Sequence, residues 1–240
     1  MSRLILFDVD GTLIRRGDPD HLGAIDFGVR TVFPDAEGAT VMRVDVDGKV
    51  DRLIASEALA QIGKNLSPDD PKLGEVFVHA GSYYRDAWED RDGGEHDLLP
   101  GIAELIGRLR VDAEFDLAVM TGGSEGIVAV KLRRLGLADA LPVGSFGNEV
   151  PNRPALVPLA LERSELHYGR RYSPRNVLVV GDTPADVTCA HVHGIACLGV
   201  ASGKYSIDEL RDAGADVLFE DLTNTEAVRD AMLTHTGGTL

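Results

Sequence analysis

The chain has 240 residues, with 24 Lys plus Arg against 39 Asp plus Glu and a formal charge of −15. That acid surplus opposes nucleic-acid binding, which rests on basic side chains neutralising phosphates, and it equally opposes a polybasic membrane anchor. A composition of 44% hydrophobic and 26% charged residues is that of an ordinary globular protein, and the length suits one large domain or one domain carrying an insertion.

Residues 4–7, Leu-Ile-Leu-Phe, form a short apolar run cut off by Asp8-Val9-Asp10-Gly11, the pattern of a buried strand ending in a loop. The run is too short for a signal-peptide core, and no stretch approaches the roughly 18 apolar residues of a spanning helix. The sequence therefore predicts a soluble, cytoplasmic protein. From about residue 16 to 97 the pattern is helical, with hardly a strand. Asp18-Pro19 opens a stripe of Leu22, Ile25, Val29, Val32 and Phe33. A longer stripe begins at Leu73 and Val76 and ends at Tyr84 and Trp88, which are read as core, before the Gly-rich Arg91-Asp92-Gly93-Gly94. Residues 16–97 are accordingly expected to form an inserted helical domain, hinged near 14–17 and 93–99, with 1–15 and 98–240 making the other domain.

After the insertion, strands alternate with helices. Strands are expected at 115–120, 177–180, 195–200 and 216–219, with a weaker one at 142–146. Between them lie the stripe Ile102, Leu105, Ile106 and Leu109, a helix over 127–135 closed by Gly136, a helix over 154–166, and one over 184–193 closed by Gly194. Ser206-Ile207-Asp208-Glu209 reads as a capping box. This alternation predicts a Rossmann-like α/β fold, a parallel sheet with helices on both faces. Cys189 and Cys197 are too few for a disulfide framework and too far apart for a zinc-ribbon pair, and read as small buried side chains.

Three strand ends carry chemistry. Asp8 and Asp10, two apart in extended backbone, can aim at one spot just past the first strand, where ligands bind in open α/β sheets. Two carboxylates in one small volume call for a cation or a proton, and they supply a nucleophile, an acid/base and hard oxygen ligands suited to Mg²⁺. Thr121-Gly122-Gly123 follows the second long strand and offers a hydroxyl and backbone N–H groups to an oxyanion. Gly181-Asp182-Thr183-Pro184-Ala185-Asp186 puts one carboxylate at a strand tip and a second one helical turn later. The second copy of the first tetrapeptide, Asp45-Val46-Asp47-Gly48, fails as a calcium loop and is read as a turn.

Asp8-Val9-Asp10-Gly11-Thr12, Thr121-Gly122-Gly123 and Gly181-Asp182-x-x-x-Asp186 resemble the first, second and fourth motifs of the haloacid dehalogenase superfamily. The resemblance covers essentially the whole chain, including a helical cap inserted after the first strand. It is strongest to the phosphoglycolate-phosphatase-like branch, whose caps carry a stretch similar to Gly48-Lys49-Val50-Asp51. The third motif is usually a Lys, and here Arg153-Pro154 stands in its place. Arg supplies the charge and a bidentate grip on phosphate. Arg153 is preferred over Lys131, which sits well inside a helix pattern.

The resemblance implies a Mg²⁺-dependent phosphatase acting on a small phosphorylated metabolite. Asp8 would be the nucleophile and Asp10 the acid/base. Thr121, Gly122 and Arg153 would hold the phosphoryl oxygens. Asp8, the backbone carbonyl of Asp10 and Asp182 would hold the metal, with Asp186 acting through water or as an orienter. Lys49 and Arg52, in the cap, are candidates to read the rest of the substrate. Dehalogenation is disfavoured because it needs no acid at Asp10. A phosphomutase, or a weakly catalytic phosphate-binding member, remains the alternative. A phosphorylation-controlled receiver is disfavoured because its Asp does not follow the first strand and it has no helical insertion. His191 and His193 do not share a helix face and are read as capping or solvated groups, and Gly122-Gly123-x-x-Gly126 lacks the spacing of a dinucleotide turn.

Overall fold

The structure is a computed structural model, and it describes residues 2–89 and 98–237. Six strands form one parallel sheet: β1 (Arg3–Phe7), β2 (Phe115–Met120), β3 (Gly144–Ser145), β4 (Val177–Gly181), β5 (Ala196–Val200) and β6 (Val217–Phe219). Their order is β3-β2-β1-β4-β5-β6. The chain thus winds outward from β1 in one direction and from β4 in the other. The switch point between β1 and β4, at the carboxyl ends of the strands, is where such sheets bind ligands. Strands β1, β2 and β4 are covered on both faces and are apolar throughout except for Arg3, Asp116 and Gly181, as parallel sheets require.

Nine helices are described: α1 (Pro19–Val32), α2 (Asp51–Ala60), α3 (Pro71–Glu89), α4 (Ile102–Leu109), α5 (Glu125–Arg134), α6 (Leu156–Tyr168), α7 (Pro184–His191), α8 (Ile207–Asp212) and α9 (Thr225–His235). Helices α4, α5 and α9 bury their apolar faces on one side of the sheet, and α6 and α7 on the other. Asp18 caps α1, with Pro19 in its first turn, as the sequence leads one to expect. The helix expected from 154 begins instead with a 3-10 turn, Arg153–Ala155, and becomes α-helical at Leu156. The weak strand at 142–146 shrinks to two residues at the sheet edge. Helices α2 and α9 are additions, because neither carries an apolar stripe as long as those of α1 and α3. No described helix is long and apolar enough to cross a membrane.

The ends of the segment between β1 and α4 lie side by side. Ile14 bridges antiparallel to Leu98, and the Leu99 N–H donates to the Leu13 carbonyl at 2.9 Å. Most of the hinge expected at 93–99 lies outside the described residues. Helices α1, α2 and α3 share an apolar cluster that includes buried Tyr84 and Trp88 and also takes in Ile127 and Val130 of α5. Helix α5 therefore has two apolar faces, since Val128 and Leu132 belong to the sheet cluster. Gly81 of α3 and Gly126 of α5 meet there, and a Cβ on either would lie about 3 Å from the Cα of the other. Gly126 thus has a packing reason, unrelated to any dinucleotide turn.

Candidate active site

Asp8 extends from the tip of β1, and its N–H donates to the Val180 carbonyl of β4 at 2.9 Å. Gly11 then takes φ +102°, in the region that favours glycine, where a Cβ would also overlap the Asp182 carboxylate. At the tip of β4, Thr183 caps α7 with a capping box: the Asp186 N–H donates to Thr183 Oγ1 at 3.2 Å, and Thr183 Oγ1 donates to Asp186 Oδ2 at 2.7 Å. The box is closed by the Thr183 N–H, which donates to Asp186 Oδ2 at 3.1 Å; it fixes the Asp186 carboxylate, whose other oxygen accepts from Arg153 Nη2 at 2.5 Å and Nε at 3.2 Å. Arg153 Nη2 also donates to Asp8 Oδ1 at 3.0 Å. The 3-10 turn opened by the Asn152 side chain carries Arg153 to this point, and its backbone carbonyl accepts from buried Cys189.

Among the described residues, Asp8, Asp182 and Asp186 bring carboxylate oxygens within 4.8 Å of one another. All three are buried. Burial pushes the Asp8 carboxyl well above the usual range, with Arg153 opposing and the other carboxylates reinforcing the shift. Burial and then Asp186 push Asp182 up to about 7. Asp182 Oδ1 accepts a long hydrogen bond from Thr12, while its Oδ2 is buried with no partner. Of three buried carboxylates, two share one guanidinium, and the third, Asp182, has an oxygen without a donor. This hard-oxygen set fits a small divalent cation.

Asp10 stands apart from that cluster. Its Oδ1 accepts from Lys131 Nζ at 2.7 Å, and Lys131 is wholly buried and also lies 3.5 Å from Asp18 Oδ2. Burial opposes ionisation of Asp10, but Lys131 and His21 outweigh it and hold the carboxyl below its ordinary value. His21 continues the network, with Nδ1 at 3.2 Å from Lys131 and Nε2 at 2.7 Å from Asp51 Oδ2. The same Asp51 oxygen accepts from the Ser124 N–H at the start of α5 at 2.7 Å. Part of the anion-binding turn expected after β2 is thus filled by a carboxylate from α2. The Gly123 N–H likewise donates to Thr121 Oγ1 at 3.2 Å. Replacing Lys131 with Met is expected to destabilise the protein by about 3–5 kcal/mol in urea unfolding, because the buried Asp18 carboxylate and Asp10 would lose their shared cation. A loss below about 1 kcal/mol would show that the pair contributes little.

The candidates named from sequence divide clearly. Asp8, Asp10, Thr121, Gly122, Arg153 and Lys49 line one cavity, with Asp182 and Asp186 buried behind it. Arg52 does not line it, because its guanidinium donates to the carbonyls of Pro68, Asp70 and Asn148 and so ties α2 to the loop after β3. In the sequence Asp18 and Asp51 read only as a helix start and as part of the Gly48-Lys49-Val50-Asp51 stretch, and His21 carries no motif; their place beside Lys131 and Ser124 emerges only in three dimensions. The turn at Asp47-Gly48 sets Asp47 against Arg16 and Lys204. His191 bonds Asp216 and His193 bonds the Pro154 carbonyl, so the two imidazoles serve separate partners. Cys189 and Cys197 are both buried and free.

A family model for haloacid dehalogenase-like hydrolases matches residues 2–194. A phosphoglycolate phosphatase of Vibrio vulnificus is 29% identical over 226 residues, covering 92% of each chain. Among solved structures, one described as a predicted phosphoglycolate phosphatase from Haemophilus somnus superposes with a TM-score of 0.61 at 21% identity, over 95% of this chain and 98% of that one. A β-phosphoglucomutase from Clostridium difficile gives 0.63 at 14% identity, over 98% and 99%. At such identities these two structures speak for the fold alone.

Proposed function

Since the chain belongs to the haloacid dehalogenase-like hydrolases, we propose that it hydrolyses a small phosphomonoester with Mg²⁺, through a phosphorylated Asp8. The observation that carries this is the convergence of Asp8, Asp182, Asp186 and Arg153 at the β1/β4 switch point, with Asp182 Oδ2 unpartnered. In this reading residues 16–97 are a cap and residues 1–15 with 98–240 a catalytic core. The bridge of Ile14 to Leu98 supports that division, as does the apolar cluster of α1 to α3, which meets residues 98–240 through Ile127 and Val130 of α5.

Asp8 attacks phosphorus, and the bond from phosphorus to the alcohol oxygen breaks while Asp10 gives that oxygen a proton. Asp10, then ionised, takes a proton from water as the water oxygen attacks phosphorus and the bond to Asp8 breaks. Lys131 favours the carboxylate form of Asp10, which suits this second half, and the proton donated in the first half requires the pair to loosen. Arg153 donates to Asp8 through Nη2 and lines the cavity with Thr121 and Gly122, which supports their holding the phosphoryl oxygens. Asp8, the Asp10 carbonyl and Asp182 would hold Mg²⁺, with Asp186 oriented behind them. A bound Mg²⁺ would screen the phosphate charge from the carboxylates and stabilise charge in the transition state.

Phosphate release from an aryl phosphate, present with Mg²⁺ and lost with chelator, tests the reading. Acid quench during turnover is expected to trap phosphate covalently on the protein. A chain that binds Mg²⁺ and phosphate esters but releases no phosphate would be the mutase or the weak binder instead.

A further inference from the structure

The alcohol that carries the phosphoryl group is the open question at this site, and the cavity above Asp8 bears on it. Its volume is about 390 Å³, within the roughly 300–1,000 Å³ of small-molecule sites. Asp8, Asp10, Thr121, Gly122 and Arg153 form the polar floor. Across from them, the stretch from 16 to 54 supplies an apolar wall of Pro19, Leu22, Met42, Val46 and Ile54. Met42 is 54% exposed, so a long adaptable thioether stands at the mouth.

The cations on that wall are already engaged. Arg16 pairs through Nη2 with Asp47, which also holds Lys204, and Lys49 Nζ lies 2.7 Å from Glu57 Oε2. Arg16 Nη1 is buried and has no hydrogen-bond partner, and the charge of the guanidinium is balanced by Asp47. The same wall carries Asp18, Asp47 and Asp51, while Lys131 and His21 are spent on Asp10, Asp18 and Asp51. Positive charge is therefore not in surplus there. A second carboxylate or phosphate on the substrate would have to break an existing ion pair or sit against acids, and both are unfavourable in a partly desolvated space.

We propose that this cavity selects phosphomonoesters whose alcohol portion is uncharged and turns an apolar face toward Leu22, Met42, Val46 and Ile54, and that it disfavours esters bearing a second anionic group. The selectivity rests on the phosphomonoesterase reading above, and it assigns Lys49 to its pair with Glu57 rather than to a substrate anion.

Benzyl phosphate and phosphoglycolate are both esters of primary alcohols, so the comparison isolates the side group. Their affinities, with that of inorganic phosphate, are measured by calorimetry on the Asp8→Asn protein with Mg²⁺, and kcat/KM for both esters is measured on the unaltered protein. Benzyl phosphate is expected to bind at least about tenfold more tightly than phosphoglycolate, the scale of discrimination an apolar pocket provides, and more tightly than inorganic phosphate. Met42→Lys, which adds a cation at an exposed position, is expected to narrow the ratio several-fold. Equal or tighter binding of phosphoglycolate overturns the proposal. So does benzyl phosphate binding no more tightly than inorganic phosphate, or a ratio that Met42→Lys leaves unchanged. If the affinity order holds but neither ester is turned over by the unaltered protein, the hydrolysis reading fails while the selectivity stands.

Discussion

Asp8→Asn is expected to abolish phosphate release, by more than about 10⁴-fold in kcat, the scale on which removing a nucleophile acts, while leaving the fold intact and more heat-stable. Both effects follow from the same burial. The Asp8 carboxyl is pushed well above its ordinary value by burial first, and further by Asp186, Asp182 and Asp10, with only Arg153 opposing. A raised carboxyl prefers its neutral form when folded, so ionised Asp8 at neutral pH counts against folding. Asn is nearly the same shape, its carbonyl oxygen can still accept from Arg153 Nη2, and it has no ionised form for the folded state to disfavour. Phosphate release and scanning calorimetry on the metal-free protein check the two halves separately. Activity within tenfold of the original would place the nucleophile elsewhere, and a lower melting temperature would contradict the charge argument.

The second large effect concerns the metal. Mg²⁺ is expected to raise the melting temperature, and Asp182→Asn is expected to remove most of that rise together with the hydrolytic activity. Asp182 has the unpartnered buried oxygen, and its carboxyl is pushed up to about 7 by burial and then by Asp186. In the metal-free protein this raised value has a definite sign. Between about pH 4, where an unfolded Asp loses its proton, and about pH 7, the folded chain holds a proton that the unfolded chain has released. Stability contributed by this group is present below that window, falls as pH rises through it, and is flat above it. Asp8 acts in the same direction. Mg²⁺ competes with these protons, so the melting shift it produces should grow from about pH 5 to about pH 8. A shift that is unchanged in Asp182→Asn, or that shrinks as pH rises, would move the metal away from this carboxylate.

The two effects concern residues whose positions at strand tips were readable before any coordinates, because apolar runs ending in acidic loops mark where a parallel sheet presents its ligands. Asp8, Thr121 and Asp182 each follow an apolar run, and the four-residue spacing from Asp182 placed Asp186 one turn later. Helix α2 was less visible, since its ten residues carry a short, mixed pattern and start at Asp51, whose carboxylate points to α5 rather than serving its own helix. The division between Arg153 and Lys131 also needed coordinates. Both are buried cations near acids, and only the fold sets Arg153 against Asp8 and Asp186 and Lys131 against Asp10 and Asp18.

By itself, then, the sequence determined the parallel α/β core, the helical character of the segment after β1 and the carboxylates at the strand ends, because hydrophobic period and turn chemistry are local and repeat within a few residues. Tertiary structure decided which charges neutralise one another. Arg16 with Asp47, Lys49 with Glu57, Arg52 with three carbonyls and His21 with Asp51 join residues from 8 to 96 positions apart. Such pairings depend on how α1, α2 and their loops pack on one another and on the loop after β3, a question of packing that no local pattern encodes. The charge of −15 shows the same division: its total is readable from composition, while the few acids that act on a ligand are set by where the chain brings them together.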